Sequence, residues 1–225
     1  MRARPRVRRI VSAVFVSLDG VMQAPGGPDE DSTGGFDLGG WVRPYWDEIG
    51  GETIGAMFAG PFDLLLGRKT YEIFAAHWPY YEGDPIGDAF NRAAKYVVTS
   101  STEPLSWANS HAVKDGVDGV ARLKAGEGPD LVVQGSSALY PGLLERGLID
   151  RMTVMTFPVV LGKGKRLFGA GTASGALRLV ESKVSGTGVV IATYEPAGPV
   201  EVGSFAMKPP NEAELARRER WRAEG

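Results

Sequence analysis

Three short stretches carry residue types suited to holding an anion. Gly67-Arg68-Lys69-Thr70 follows the apolar run 62–66 and opens a helical pattern at Tyr71-Glu72-Ile73-Phe74. A glycine there lets backbone N–H groups approach a ligand, while a helix N-terminus with two cations and a hydroxyl favours the same negative charge. Gly135-Ser136-Ser137 follows Leu131-Val132-Val133 and precedes Leu139, Leu143, Leu144 and Leu148, which recur at a helical period. A phosphate fits this second turn; the same small residues also make a plain strand-to-helix connection, and the turn alone does not separate the two. Thr99-Ser100-Ser101 closes the β-rich run 96–99, and its hydroxyls suit either ribose and phosphate oxygens or simple turn formation.

A carboxylate and a group of aromatic rings offer chemistry of another kind. Asp19, in Ser17-Leu18-Asp19-Gly20, stands at the end of the first apolar strand. Ligands of open α/β sheets collect at the carboxyl ends of strands, so Asp19 either orients a substrate or shapes the turn. Trp41, Tyr45 and Trp46 belong to a helical segment, 41–58, interrupted near Gly50 and Gly51. They pack in the core or wall a pocket for a flat heterocycle, with Asp47 or Glu48 available to hydrogen-bond it. The polar loop 23–40, rich in Gly, Pro and acid, is too long for an ordinary connection and is expected to move as a lid or binding loop.

Several chemistries drop out. The chain has no Cys, which removes disulfides, thiolate catalysis and Cys-ligated metal. Asp29, Asp31 and Gly34 echo a calcium loop, but its twelfth position is Gly40 instead of the bidentate Glu, and no metal is expected. Of two His, His77 reads as a packing residue, and no Gly-x-Ser-x-Gly elbow supplies a nucleophile. The basic, glycine-rich run 159–168 is not a P-loop, because no Lys-Ser or Lys-Thr pair follows its glycines.

The elements that must position these residues alternate. Strands are expected over 9–18, 62–66, 96–99, near 111–113, over 131–133 and from 152 to 157. Helices are expected after 67, over 88–95, over 117–124 and between 136 and 148. Such alternation predicts a parallel sheet with crossover helices. The runs 177–185 and 188–194, joined at Gly186-Thr187-Gly188, predict an antiparallel hairpin closing the sheet. Asn211 with Glu214 forms a capping box for a terminal helix.

At 225 residues, 43% of them hydrophobic and 23% charged, the chain suits one sizeable domain with tails: a basic tail 1–8, a core 9–195 and an extension 196–225. The five arginines between Arg2 and Arg9 read as a solvated tail. A net charge of −2 offers nucleic acid no global attraction, and no window approaches the roughly 20 apolar residues of a membrane span. A small-molecule partner and a cytoplasmic location are expected, with the N-terminus retained because its apolar run is short and leads into a core strand.

Taken together, Ser17-Leu18-Asp19-Gly20, Leu66-Gly67-Arg68-Lys69-Thr70-Tyr71-Glu72, Val97-Val98-Thr99-Ser100-Ser101, Gln134-Gly135-Ser136 and Pro158-Val159-Val160-Leu161-Gly162-Lys163-Gly164-Lys165-Arg166-Leu167-Phe168 resemble the dihydrofolate reductase superfamily. The resemblance is closest to stand-alone proteins similar to the reductase domain of bacterial bifunctional riboflavin-pathway deaminase-reductases. It spans about residues 9–195 and implies an α/β fold, a three-layer α/β/α arrangement around a mainly parallel mixed sheet ending in an antiparallel hairpin. It also implies NADPH as hydride donor, a flat nitrogen heterocycle as substrate (the phosphoribosylaminouracil of riboflavin synthesis or a pterin) and a homodimer.

By the same resemblance, Gly67, Arg68, Lys69 and Thr70 meet the cofactor phosphates, and Thr99, Ser100 and Ser101 meet the adenosine ribose with its 2′-phosphate. Gly135, Ser136, Ser137 and Ala138 approach the pyrophosphate. The stretch 16–22, with Val21 and Met22, borders nicotinamide and substrate beside Trp41, Tyr45 and Trp46, and Asp19 becomes the catalytic candidate. Two departures stand out: Gly135-Ser136 replaces the Gly-Gly of many relatives, and the arginine-bearing substrate segment of riboflavin-pathway reductases is missing. A dinucleotide-binding protein without turnover, a sensor or structural dimer, is the alternative.

Overall fold

The computed structural model describes residues 7–81 and 83–224. Eight strands form one sheet: β1 (Ile10–Ser17), β2 (Phe62–Gly67), β3 (Lys95–Val98), β4 (Ser110–Val113), β5 (Asp130–Gln134), β6 (Arg151–Phe157), β7 (Leu177–Val184) and β8 (Val190–Pro196). Their order is β4-β3-β2-β5-β1-β6-β8-β7. The first six pair in parallel, whereas β8 runs antiparallel to β6 and β7, giving the mainly parallel mixed sheet with an antiparallel end that the sequence predicts. Although β5 and β6 are joined through a helical crossover, β1 lies between them, in register with both.

Alternation along the strands divides the core into two layers. Leu64, Leu66 and Val132 face one side, where Ile54, Phe58, Tyr71 and Phe90 cover them. Leu65, Leu131 and Val133 face the other, against Val120, Leu139, Tyr140 and Leu143. Near-continuous apolar strands are what a sheet covered on both faces requires, and each fully buried Leu or Val contributes about 1.5–3 kcal/mol.

The covering helices are α1 (Glu48–Met57), α2 (Arg68–Ala75), α3 (Pro85–Arg92), α4 (Gly116–Ala125) and α5 (Tyr140–Glu145), with α6 (Glu212–Glu224) lying exposed beyond the sheet. Capping fixes several boundaries. Asp47 accepts the Gly50 N–H and starts α1 only after the aromatic residues, so the single helical segment expected over 41–58 is a 3-10 turn at Arg43–Tyr45 followed by α1, which runs through Gly50 and Gly51. Asp84 accepts from the N–H groups of Ile86 and Gly87 and Pro85 occupies the first turn, which begins α3 before residue 88.

Most of the basic tail 1–8 lies outside the described residues. Arg8 is not solvated: it is 2% exposed, ion-paired with Asp63 of β2, and its Nε donates to the Pro129 carbonyl at 2.9 Å. Among the described residues no helix is long and apolar enough to cross a membrane, and no three His, Asp or Glu stand together as metal ligands.

Candidate functional site

A cleft of about 1050 Å³ opens at the carboxyl ends of β1, β2 and β5, at the top of the roughly 300–1,000 Å³ range of small-molecule sites. Three segments converge on it: the β2–α2 turn 67–70, the β5–α5 turn 135–138, and the segment 22–31 that follows β1. Met22, Gly67, Arg68, Lys69, Thr70, Gly135, Ser136, Ser137 and Ala138 all border the cleft, so the geometry gathers two of the three anion-binding turns read from the sequence.

Those two turns are clasped to each other. Ser136 Oγ accepts the Gly67 N–H at 2.9 Å, and the Ser136 N–H donates to Thr70 Oγ1 at 3.0 Å. Ser136 is held at φ +61° and Gly135 at +63°. Gly135 is constrained twice, because a Cβ would meet Thr70 Cγ2 at 3.1 Å in a backbone region that side chains rarely adopt. Arg68 is occupied by acids: Nε donates to Glu72 Oε1 at 2.6 Å and Nη2 lies 3.3 Å from Glu103 Oε2. Lys69 is exposed.

Other expected residues lie elsewhere. Thr99, Ser100 and Ser101 follow Val98, which borders the cleft, but lie just outside it. The Thr99 and Ser101 hydroxyls accept the Ser101 and Glu103 N–H groups, forming a turn. Trp41, Tyr45 and Trp46 do not wall the cavity. Trp41 is 7% exposed and sits edge-on to Phe157, as does Tyr45, while Trp46 meets Phe15 edge-on at 5.6 Å. They support the wall from behind: Phe15 borders the cleft, and Trp41 Nε1 donates to the carbonyl of Gln23, another lining residue. Val21 is fully buried beside Gly164, whose missing Cβ makes room for it.

Asp19 is withdrawn from the cleft. Its Oδ1 accepts from Ser17 Oγ at 2.6 Å and the Leu161 N–H at 3.1 Å, and its Oδ2 accepts the Gly162 N–H at 2.9 Å. Arg166 donates to the Asp19 carbonyl and lies 3.4 Å from Oδ2. The Ser17 hydroxyl, with those backbone donors, lowers the Asp19 carboxyl to about 2. A carboxylate so stabilised relays protons poorly near neutrality. In this structure the Asp19 carboxylate stitches the Ser-Leu-Asp-Gly turn to the glycine-rich segment after β6.

Spacing concealed the far wall of the cleft. Gln23 holds it in place: Nε2 donates to the carbonyls of Asp31 (3.0 Å) and Thr33 (2.8 Å), and Oε1 accepts the Lys165 N–H (3.0 Å). Lys165 pairs with Asp31, and its Nζ lies 2.8 Å from Thr33 Oγ1. The loop expected to move is braced through this stretch. Glu30 lines the cleft, and desolvation raises its pKa although it accepts the Gly26 N–H at 2.6 Å. His77 borders the cleft while packing on Trp78 and Tyr81, in keeping with its reading as a packing residue.

The chain is similar to known proteins over most of its length. The model of the RibD C-terminal domain matches residues 8–191. Protein YyaP of Bacillus subtilis (strain 168) is 26% identical over 192 residues, covering 83% of this chain and 94% of its own. A solved dihydrofolate reductase from Enterococcus faecalis, complexed with NADP(H), superposes with a TM-score of 0.55 at 13% identity, over 86% of this chain and 99% of that one. The Thermotoga maritima diaminohydroxyphosphoribosylaminopyrimidine deaminase/5-amino-6-(5-phosphoribosylamino)uracil reductase superposes with a TM-score of 0.56 at 15% identity, over 84% of this chain and 57% of that one. At these identities the two structures establish the dihydrofolate reductase-like α/β fold, and the family match extends over most of the chain. This chain belongs to the RibD C-terminal domain family.

Proposed function

We propose that the chain is an NADPH-dependent reductase of a flat nitrogen heterocycle. The observation that carries this is the clasp between Gly67, Thr70 and Ser136 on the border of a cleft of about 1050 Å³. Each hydroxyl already accepts a backbone N–H, so its own proton is left to donate outward, which suits phosphate oxygens. Lys69 adds an exposed cation beside the start of α2. These groups fit a pyrophosphate, which residues 67–70 and 135–138 would hold, while Thr99, Ser100 and Ser101 would meet the adenosine end beyond Val98.

NADPH, when bound, supplies the hydride. The chain's part is to position the heterocycle against Phe15 and Met22, exclude water with the wall 22–31, and furnish a proton. Glu30 replaces Asp19 as the candidate for that last task, because it lines the cleft and burial raises its proton affinity. The names of the Thermotoga and Enterococcus proteins support an aminouracil or a pterin as the ring system. The withdrawal of Asp19 favours the second reading, NADPH binding without turnover.

Titration with NADPH and NADH, read by Trp fluorescence and energy transfer to the reduced nicotinamide, tests the cofactor. Loss of nicotinamide absorbance on adding aminouracils or pterins tests turnover. Preferential NADPH binding with turnover supports the reductase, binding without turnover the second reading, and no binding ends both. The same reading takes the protein to be a cytoplasmic homodimer, with the open edge at β7, where Leu179, Val180 and Val184 are exposed, as its contact.

A further inference from the structure

The sheet ends at β7, which pairs with β8 alone. Its outer edge leaves backbone N–H and C=O groups open to a further strand. Leu177, Leu179, Val180 and Val184 are exposed along it, and its register with β8 is interrupted between Leu179 and Glu181.

A second unpaired stretch follows β8. Residues 200–208 lie beyond the 8–191 of the family match, bracketed by Pro199 and by Pro209-Pro210, which cannot donate to a ladder. Val202, Phe205 and Met207 are each at least 93% exposed. Among the described residues the backbone of 200–208 makes one hydrogen bond, from the Ala206 N–H to Ser204 Oγ at 3.0 Å. The arm 200–207 has eight residues, as does β7.

Laid antiparallel along β7, the arm finds matching partners. Met207 opposes Leu177, Phe205 opposes Leu179 and Val200 opposes Val184, while Glu201 opposes Lys183. Neither Glu201 nor Lys183 is in an ion pair among the described residues. Gly203 and Ser204 fall opposite Glu181 and Val180, where the register of β7 breaks. A slip of two residues one way sets Phe205 against Glu181, and the other way sets Glu201 against it, so the pairing is specified.

The chain's own arm starts at the wrong end for this register. The Ala197 N–H donates to the Ala176 carbonyl at 2.8 Å and the Ala176 N–H to the Gly198 carbonyl at 2.9 Å, so the arm departs beside the start of β7. Val200 is needed at the far end of that strand, about 24 Å away, and the step from Gly198 to Val200 spans about 7 Å at most.

We propose that the arm 200–207 of a second copy of this chain adds a ninth, antiparallel strand to β7, each copy giving one arm and receiving one. The inference rests on the homodimer reading and specifies what covers β7. A stable dimer buries about 1,200 Å² or more in total, roughly 300 Å² from each of two arms and two edges, and Phe205 alone brings about 150–250 Å².

The test uses the full chain. Light scattering over a dilution series gives the dimer dissociation constant, which rises by about tenfold or more in Phe205→Glu/Met207→Glu with no change in melting temperature, since both side chains are exposed in one copy. Lys183→Glu raises it by about threefold, and adding Glu201→Lys restores it. Because the chain has no Cys, Leu179→Cys/Phe205→Cys places the only two thiols; on mild oxidation they form a covalent dimer on a non-reducing gel, with a 179–205 disulfide in its peptides. A disulfide closed within one chain, or an unchanged dissociation constant in Phe205→Glu/Met207→Glu, overturns the proposal while leaving the dimer reading in place. A monomeric wild type overturns both. If the cysteine variant does not fold, the dissociation constants decide.

Discussion

The hydroxyl oxygen of Ser136 accepts the Gly67 N–H at 2.9 Å, joining two turns that lie 69 residues apart in the chain. Ser136 holds a positive φ while making this bond. Ser136→Ala keeps the strain and loses the bond, so stability should fall by about 1–2 kcal/mol. Ser136→Gly loses the bond but relieves about 1 kcal/mol of left-handed strain and should melt near wild type. Both should weaken NADPH binding by about tenfold, because the Gly67 N–H and Thr70 hydroxyl lose their orientation. Thermal melts with a fluorescence titration check this; wild-type NADPH affinity in both variants removes the clasp from the cofactor site.

Lys69 and Arg68 should differ. Arg68 is already engaged by Glu72 and Glu103, whereas Lys69 is exposed and unpaired among the described residues. Lys69→Ala should weaken NADPH binding by about tenfold and flatten its salt dependence. Arg68→Ala should cost about threefold or less. Equal losses would mean that Arg68 leaves its acids when the cofactor arrives.

Asp63 and Arg8 form a buried ion pair at the start of β2, about 13 Å along the strand from Gly67. Asp63→Ala leaves a guanidinium buried without its partner and should destabilise the fold by about 3 kcal/mol. NADPH affinity measured below the lowered melting temperature should stay within about twofold, since the two sites share no partner.

The Asp19 carboxyl, held at about 2 by Ser17, Leu161 and Gly162, sets a pH signature. Its pKa is depressed on folding, so its stabilisation is complete above the ordinary aspartate value, about 4, and disappears as pH falls through about 2. Asp19→Asn should therefore cost about 1–2 kcal/mol near neutral pH, and the gap from wild type should close over that acid window. Denaturant melts across the acid range give the answer, and a constant gap would sink the assignment.

Much of the fold was legible because its signals are local. Leu64-Leu65-Leu66 and Leu131-Val132-Val133 read as strands covered on both faces, and Gly186-Thr187-Gly188 marked the hairpin. The turns at 67–70 and 135–138 were legible too, since a strand, a glycine and a helix start announce themselves in sequence. Side-chain direction was not. Trp41 and Trp46 have the composition of a pocket wall, yet both pack against phenylalanines of the core, because β6 brings Phe157 beside β1 and its Phe15. Asp19 had the right strand end, but its partners Leu161 and Gly162 lie more than 140 residues away, beyond any local pattern. Gln23 gave no signal at all, since a lone glutamine acts as a brace only once Thr33 and Lys165 are folded around it.

The exposed edge at β7 predicts assembly. Light scattering should give the mass of a dimer for the wild-type protein, and Leu179→Glu with Val180→Lys should shift it to the monomer without lowering NADPH affinity. A monomeric wild type would leave those side chains as surface.

The brace at Gln23 bears on how this protein can change. The wall 22–31 is held from behind by Gln23, Trp41 and Lys165, and Asp29 takes no part in that hold. Its backbone is thus a fixed frame on which the side chain at position 29 is a replaceable letter. New ligand preferences become reachable by single substitutions that leave the framework alone, which makes this short segment the first place to randomise in a directed search for altered substrates.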